Sequence, residues 1–154
     1  MKVDSKGRVS LPAELRAELP AEDSRLMLFR PAETPWINGC VYREFDGVLA
    51  EMEAALPGAA RSSAQRLAVN ILGIGEDDDV GDTYAESVMV QLDKEGRFVL
   101  PPLVSQALAV TDTVTFVGRR SVFQMWHPAA YESYRERNRT RRLQRYAGAT
   151  GGAG

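Results

Sequence analysis

Val3-Asp4-Ser5-Lys6-Gly7-Arg8-Val9-Ser10-Leu11-Pro12 and, about ninety residues later, Leu92-Asp93-Lys94-Glu95-Gly96-Arg97-Phe98-Val99-Leu100-Pro101 are two renderings of one pattern. Asp, Gly, Arg, Leu and Pro recur at the same spacing, and a further leucine, Leu19 or Leu108, closes each unit. Two unrelated turns would share Asp and Gly, which are common turn residues, but the apolar positions flanking them align as well, so the pattern reads as an internal repeat.

Each copy reads as a strand that turns at Lys6-Gly7 or Glu95-Gly96 and returns through residues 9–11 or 98–100. Glycine suits the positive φ of a tight hairpin turn. Pro12 or Pro101 follows, where it ends a strand and suits the first turn of a helix. Leu11, Leu15 and Leu19 fall at helical spacing, which predicts a short helix over 13–19; Leu100, Val104 and Leu108 repeat the spacing. Strand material follows at 25–29 and 113–117. A second apolar stretch then leads into a longer helix: 40–45, with Asp46 as N-cap and a helix over 48–56, and 122–126, with His127-Pro128 before a helix from Ala129. Prolines and a glycine mark an inserted loop around 33–38 in the first copy.

The unit is therefore hairpin, short helix, hairpin, longer helix, and it occurs twice. The expected organisation is a first repeat over 1–56, a helical and acidic linker over 57–85, a second repeat over 86–134, and an Arg-rich segment with a flexible Gly/Ala tail over 135–154. Within the linker, residues 62–72 read as a helix stopped by Gly73, and Glu76-Asp77-Asp78-Asp79 as a solvated run lacking the ligand spacing of a calcium loop.

A chain of 154 residues suits one compact domain or two small ones sharing a core. No apolar run is long enough to span a bilayer and no basic-then-apolar leader stands at Met1, so the expected place is the cytoplasm, without membrane contact. Cys40 is the only cysteine and reads as a small buried hydrophobe; with one histidine, His127, read as a capping or surface residue, no Cys/His metal site is expected. No nucleophile elbow, phosphate loop or dinucleotide fingerprint appears, so the chain reads as a non-enzyme without cofactor.

The positive charges near the repeated turns are more informative. Lys2, Lys6 and Arg8, and in the second copy Lys94 and Arg97, lie on or beside a turn. There arginine can grip phosphate or read guanine edges, and a two-stranded ribbon fits the major groove. Asp4 and Asp93 precede the arginines by four residues, nearly opposite them across a tight hairpin. From the residues alone two readings stand level: aspartate orients an arginine for DNA, or the pair holds the turn. Arg135, Arg137, Arg139, Arg141, Arg142 and Arg145 form a second concentration of charge hidden by the net −2 of the chain. They read either as a helix running to about Tyr146 or as a disordered arm adding nonspecific phosphate contacts.

Asp-x-x-Gly-Arg, an apolar triplet and Pro, twice in a chain of this length, resembles the MraZ family of bacterial regulators, whose domains belong to the swapped-hairpin group shared with AbrB-type regulators. The resemblance covers 3–19, 42–56, 90–108 and Phe123-Gln124-Met125-Trp126-His127-Pro128. It implies an α+β, mainly β fold: an AbrB-like swapped-hairpin barrel from two tandem repeats with peripheral helices. It also implies a ring-shaped homo-oligomer, nucleoid-associated, binding direct repeats of double-stranded promoter DNA as a repressor of the division and cell-wall gene cluster. Carried over by position are Asp4 and Arg8, and Asp93 and Arg97, with Lys6 and Lys94 between them; the expected DNA-binding residues are Lys6, Arg8, Lys94 and Arg97, with Lys2 and Arg16 as secondary contacts and Asp4, Gly7, Asp93 and Gly96 supporting the motif. A net acidic chain binds DNA poorly by charge alone, but a ring presenting the same small hairpin many times makes binding multivalent. The first copy departs from the family in starting only three residues before Asp4. Either the chain is truncated there or its first strand is short and leaves a barrel edge exposed. The alternative function is an oligomeric scaffold or protein-interaction module without specific DNA binding.

Overall fold

The computed structural model describes residues 1–20, 23–31, 33–54, 59–74, 80–110, 112–119 and 122–152. The expected acidic linker at Glu76-Asp77-Asp78-Asp79 lies outside them. The fold is α+β, in the order β1 (Arg8–Ser10), α1 (Ala13–Arg16), β2 (Arg25–Phe29), β3 (Trp36–Val41), α2 (Tyr42–Ala54), α3 (Ala59–Leu72), α4 (Val80–Ala85), β4 (Val88–Gln91), β5 (Arg97–Val99), α5 (Pro102–Leu108), β6 (Thr115–Gly118), β7 (Phe123–Trp126) and α6 (Pro128–Gly152).

The repeat is visible in the strand pairing, which runs between copies. β1 pairs antiparallel with β5, and β2 lies between β3 and β4 in a five-stranded sheet ordered β4-β2-β3-β7-β6. The two arms that the sequence reads as one hairpin therefore meet only at the turn: Asp4 N–H donates to the Arg8 carbonyl at 2.8 Å, and Asp93 N–H to Arg97 at 2.8 Å. Beyond the turn each arm pairs with the other copy. The exchange continues past the ribbon, with Leu11 N–H donating to the Gly96 carbonyl at 2.9 Å and Leu100 N–H to the Gly7 carbonyl at 2.8 Å.

Val9 and Phe98 face each other at the centre of the β1–β5 ribbon, and both are buried. They join Leu11, Leu26, Leu28, Ile37, Val104, Val114 and Met125 in a core fed by both copies. A second cluster covers the other face of the sheet, where Phe45 and Val48 of α2 and Ala68 and Leu72 of α3 pack against Met27, Phe29 and Cys40. Cys40 is buried there, and burial pushes its thiol pKa up to about 12, so it is a packed apolar group at neutral pH.

Several boundaries differ from expectation. α1 ends at Arg16, not Leu19, and buries no residue fully, so little packing extends it. α2 begins at Tyr42, four residues before the expected cap Asp46: Phe45, Val48 and Leu49 fall at helical spacing and pack together, which converts the expected end of the strand into helix. The expected loop at 33–38 already contains β3, because Trp36 and Ile37 find partners in Trp126 and Met125. β6 starts two residues late, since Val114 bonds the chain start instead, donating to the Met1 carbonyl at 2.9 Å and accepting from the Met1 ammonium at 2.8 Å. α6 runs on to Gly152 through the tail expected to be flexible; a helix already nucleated adds residues at small cost, and Gly148 does not stop it.

Residues before Asp4 make a single bridge, Lys2 with Thr113, whereas β4 pairs with β2 over four residues. Among the described residues β6 pairs with β7 alone, so its outer edge is open. No described helix is long and apolar enough to cross a membrane.

Candidate nucleic-acid interface

Both turns are built the same way. Gly7 N–H donates to the Asp4 carbonyl and Gly96 N–H to the Asp93 carbonyl, each at 3.0 Å, and the glycines take φ of +76° and +77°. This is a tight turn with glycine in the left-handed region where the chain re-enters a strand. The aspartate side chain ties it together. Asp4 Oδ1 accepts the backbone N–H of Lys6 at 2.9 Å and of Arg8 at 2.8 Å, while Oδ2 accepts Arg8 Nε at 2.8 Å. Asp93 repeats the set with the N–H of Glu95 and of Arg97, each at 2.9 Å, and with Arg97 Nε at 2.9 Å.

These donors hold both carboxyls below the usual aspartate range, the arginine backbone N–H being the largest cause in each. Of the two readings left level by the sequence, this geometry bears on the one in which the pair holds the turn. Aspartate closes the turn and fixes arginine through Nε, so that neither outer guanidinium nitrogen is used in the bond to aspartate.

The ribbon then places both motifs on one surface. Val9 and Phe98 point inward, so Arg8, Ser10, Arg97 and Val99, alternating with them, point outward. Register sets Arg8 opposite Val99 and Arg97 opposite Ser10. The two arginines consequently lie on a diagonal, with Cα atoms ~8 Å apart from strand geometry. The hydrogen bond that Arg97 donates to Asp93 is the largest cause holding its guanidinium above the usual range, and the charges of Asp93, Glu95 and, from the other copy, Asp4 add to it.

Lys6 and Lys94 stand exposed on their turns. The remaining expected contacts are placed differently. Lys2 sits opposite Thr113, and no hydrogen bond or ion pair links it to either motif. Arg16 reaches from the first copy to the second turn, donating from Nη1 to the Glu95 carbonyl at 2.9 Å and lying against Gly96, where a Cβ would come within 2.2 Å of its Cδ. Glu95 is a further participant that the sequence reading passed over: its carboxylate accepts Arg97 Nη2 at 3.2 Å. The signal was present, since the residue before the turn glycine is Lys6 in one copy and Glu95 in the other. His127 acts as the expected cap, its Nδ1 accepting the Ala129 N–H at 3.0 Å. No group of metal-ligating side chains occurs among the described residues.

A family model described as "MraZ protein, putative antitoxin-like" matches residues 84–148, which include the second turn, β7 and most of α6. Proteins named Transcriptional regulator MraZ are similar over nearly the whole chain. The one from Gluconacetobacter diazotrophicus is 34% identical over 93% of this chain and 84% of its own length. Those from Gluconobacter oxydans and Rhodospirillum rubrum are each 30% identical, over 91% and 96% of this chain and 79% and 88% of their own lengths.

Proposed function

Because the chain belongs to the MraZ family of transcriptional regulators, we propose that it binds promoter DNA sequence-specifically through the outward face of the β1–β5 ribbon. Its relatives are named regulators, and it is a regulator rather than an enzyme. The reading is carried by one observation: Arg8 and Arg97 share a solvent face, each held by an aspartate through Nε.

A guanidinium fixed in that way presents its remaining donors with little rotamer freedom left to lose, which favours bidentate contact with guanine edges or phosphate. Lys6 and Lys94 flank it as phosphate contacts, with Lys2 as an outlying one. Arg16 acts chiefly by holding the second turn and contacts DNA only secondarily. Repeats 1–56 and 86–134 form one binding unit because their strands interleave. Several such units in a ring engage direct repeats of the promoter, and the protein represses the division and cell-wall gene cluster. One ribbon carries three carboxylates beside its four cations, so a single unit binds weakly and the repetition supplies the affinity.

The test is titration of a promoter duplex bearing direct repeats with Arg8→Ala and Arg97→Ala proteins. Each is expected to lose about 1–3 kcal/mol of affinity with the subunit number, measured by light scattering, unchanged. Unaltered affinity at unaltered assembly rejects the reading, and absence of retention on DNA at low salt leaves an oligomeric scaffold in its place.

A further inference from the structure

The second concentration of positive charge is organised, and by a residue far from it in sequence. Arg119, at the end of β6, and the arginines of α6 line one open cleft of about 440 Å³. On the helix side Tyr131 and Tyr134 begin the lining and Arg135, Asn138, Arg141, Arg142 and Arg145 continue it, at steps of three and four that place them along one side. That side is held in position from the other end of the helix. Tyr131 packs on Trp126 at 5.4 Å between ring centroids, and Tyr134 packs on Trp126 at 4.9 Å and on Trp36 at 6.2 Å.

The electrostatics of the cleft are one-sided. Six arginines and two glutamates give α6 a charge of +4, while the remaining 13 basic and 19 acidic residues leave the rest of the chain at −6. Among the described residues the ion pair of this helix is Glu132 with Arg135 at 3.9 Å; Arg137, Arg139, Arg141, Arg142 and Arg145 meet no protein carboxylate. Arg137 and Arg141, and Arg141 and Arg145, are like charges one turn apart, which destabilise a helix until an anion lies across them.

We propose that this cleft is a second DNA site, one that grips the phosphate backbone without regard to sequence while the β1–β5 ribbon meets the bases. It rests on the DNA-binding reading for the identity of the polyanion. Guanidinium forks match phosphate oxygens, and the Asn138 amide and the Tyr131 and Tyr134 hydroxyls are of the types that add neutral donors to a backbone contact. From Arg135 to Arg145 the helix rises ~15 Å, which at ~3.4 Å of axis per phosphate spans about four phosphates of one strand. A regular ladder of donors along a rigid rod suits the regular charge of a duplex.

The experiment uses the full-length protein and three forms of it: Arg119→Gln, Arg142→Gln with Arg145→Gln, and Arg97→Ala. Each is titrated against the promoter duplex and a scrambled duplex of equal length over a salt series, with subunit number followed by light scattering. Loss of Arg142 and Arg145 is expected to weaken binding to both duplexes about tenfold and to lower the salt slope by about two, leaving the preference for the promoter intact. Arg119→Gln should shift both in the same direction by less. Unchanged affinity and slope on both duplexes overturns the proposal, as does a weakening confined to the promoter duplex. A change in subunit number with no change in salt slope overturns it too, and makes the cleft an interface between copies. The Arg97→Ala arm separates the two readings. If it leaves promoter preference unaltered, the ribbon reading fails, while the scrambled-duplex result still decides the cleft.

Discussion

The turn at Gly7 and the turn at Gly96 have the same backbone and the same aspartate clamp but different charge, since Glu95 offsets Lys94 in the second and nothing offsets Lys6 in the first. In the first, Lys6 adds a positive charge, no acceptor among the described residues takes the terminal nitrogens of Arg8, and among them nothing lies within 4 Å of where a Gly7 Cβ would stand. In the second, Glu95 takes Arg97 Nη2 and Arg16 lies over Gly96. The first copy thus carries the freer arginine, and the second trades availability for support. A repeated motif fixes a shape, and the neighbours of each copy set what the shape can do.

The ribbon that joins the copies is where the comparison breaks with the largest effect. Phe98→Ala is expected to cost about 3–5 kcal/mol and Val9→Ala about 2 kcal/mol, from lost apolar burial and the cavities left behind. Since the two residues face each other between copies, either change should shift one cooperative denaturation transition. Two separated transitions would show the repeats to be independent units.

Glycine replacement separates the turns by a smaller amount. Gly7→Ala meets only the left-handed φ, a cost of about 1–2 kcal/mol, whereas Gly96→Ala must also displace the Arg16 side chain. Gly96→Ala is therefore expected to be the more destabilising in urea titration, and the excess should vanish when Arg16→Ala is present in both proteins. Equal costs without that replacement would mean that Arg16 does not support the turn.

The charge difference should be readable in DNA affinity. Glu95→Gln frees Arg97 Nη2 and removes a negative charge, so promoter binding is expected to tighten by about two- to fivefold, from ~0.4–1 kcal/mol for an exposed pair. It should also bring the loss caused by Arg97→Ala up toward that caused by Arg8→Ala. A Glu95→Gln protein that binds no better would place the asymmetry elsewhere.

Acidification is the mildest probe and should treat the turns alike. Asp4 and Asp93 both have pKa values lowered by folding, so what they contribute is complete above the ordinary aspartate range and fades as the pH falls through their depressed values. Amide shifts of Arg8 and Arg97 followed by NMR should stay constant near neutrality and move together only in acid. Movement in one turn alone, or near neutral pH, contradicts the shared clamp.

Much of this was legible in the residues. Asp-x-x-Gly-Arg specified both turns because every clamp bond spans four residues or fewer. Helix α3 and its stop at Gly73, φ +68°, followed from local spacing in the same way. Less legible were the features that depend on a distant partner. β3 begins at Trp36 because Trp126 stacks on it at 5.0 Å, and α2 begins at Tyr42 because its apolar side has α3 to pack against. Arg16 and Arg119 each look like isolated surface charges until the fold sets one on Glu95 and the other beside α6.

By itself, then, the sequence determined the repeat, the conformation of its turns and the pairing of aspartate with arginine, all short-range effects of steric preference and local hydrogen bonding. Only the tertiary structure decided that the arms of each hairpin go to the other copy, that Arg8 and Arg97 share one face, and that Arg119 completes the cleft along α6. Those outcomes depend on which apolar surfaces cover one another, a choice made among partners about ninety residues apart.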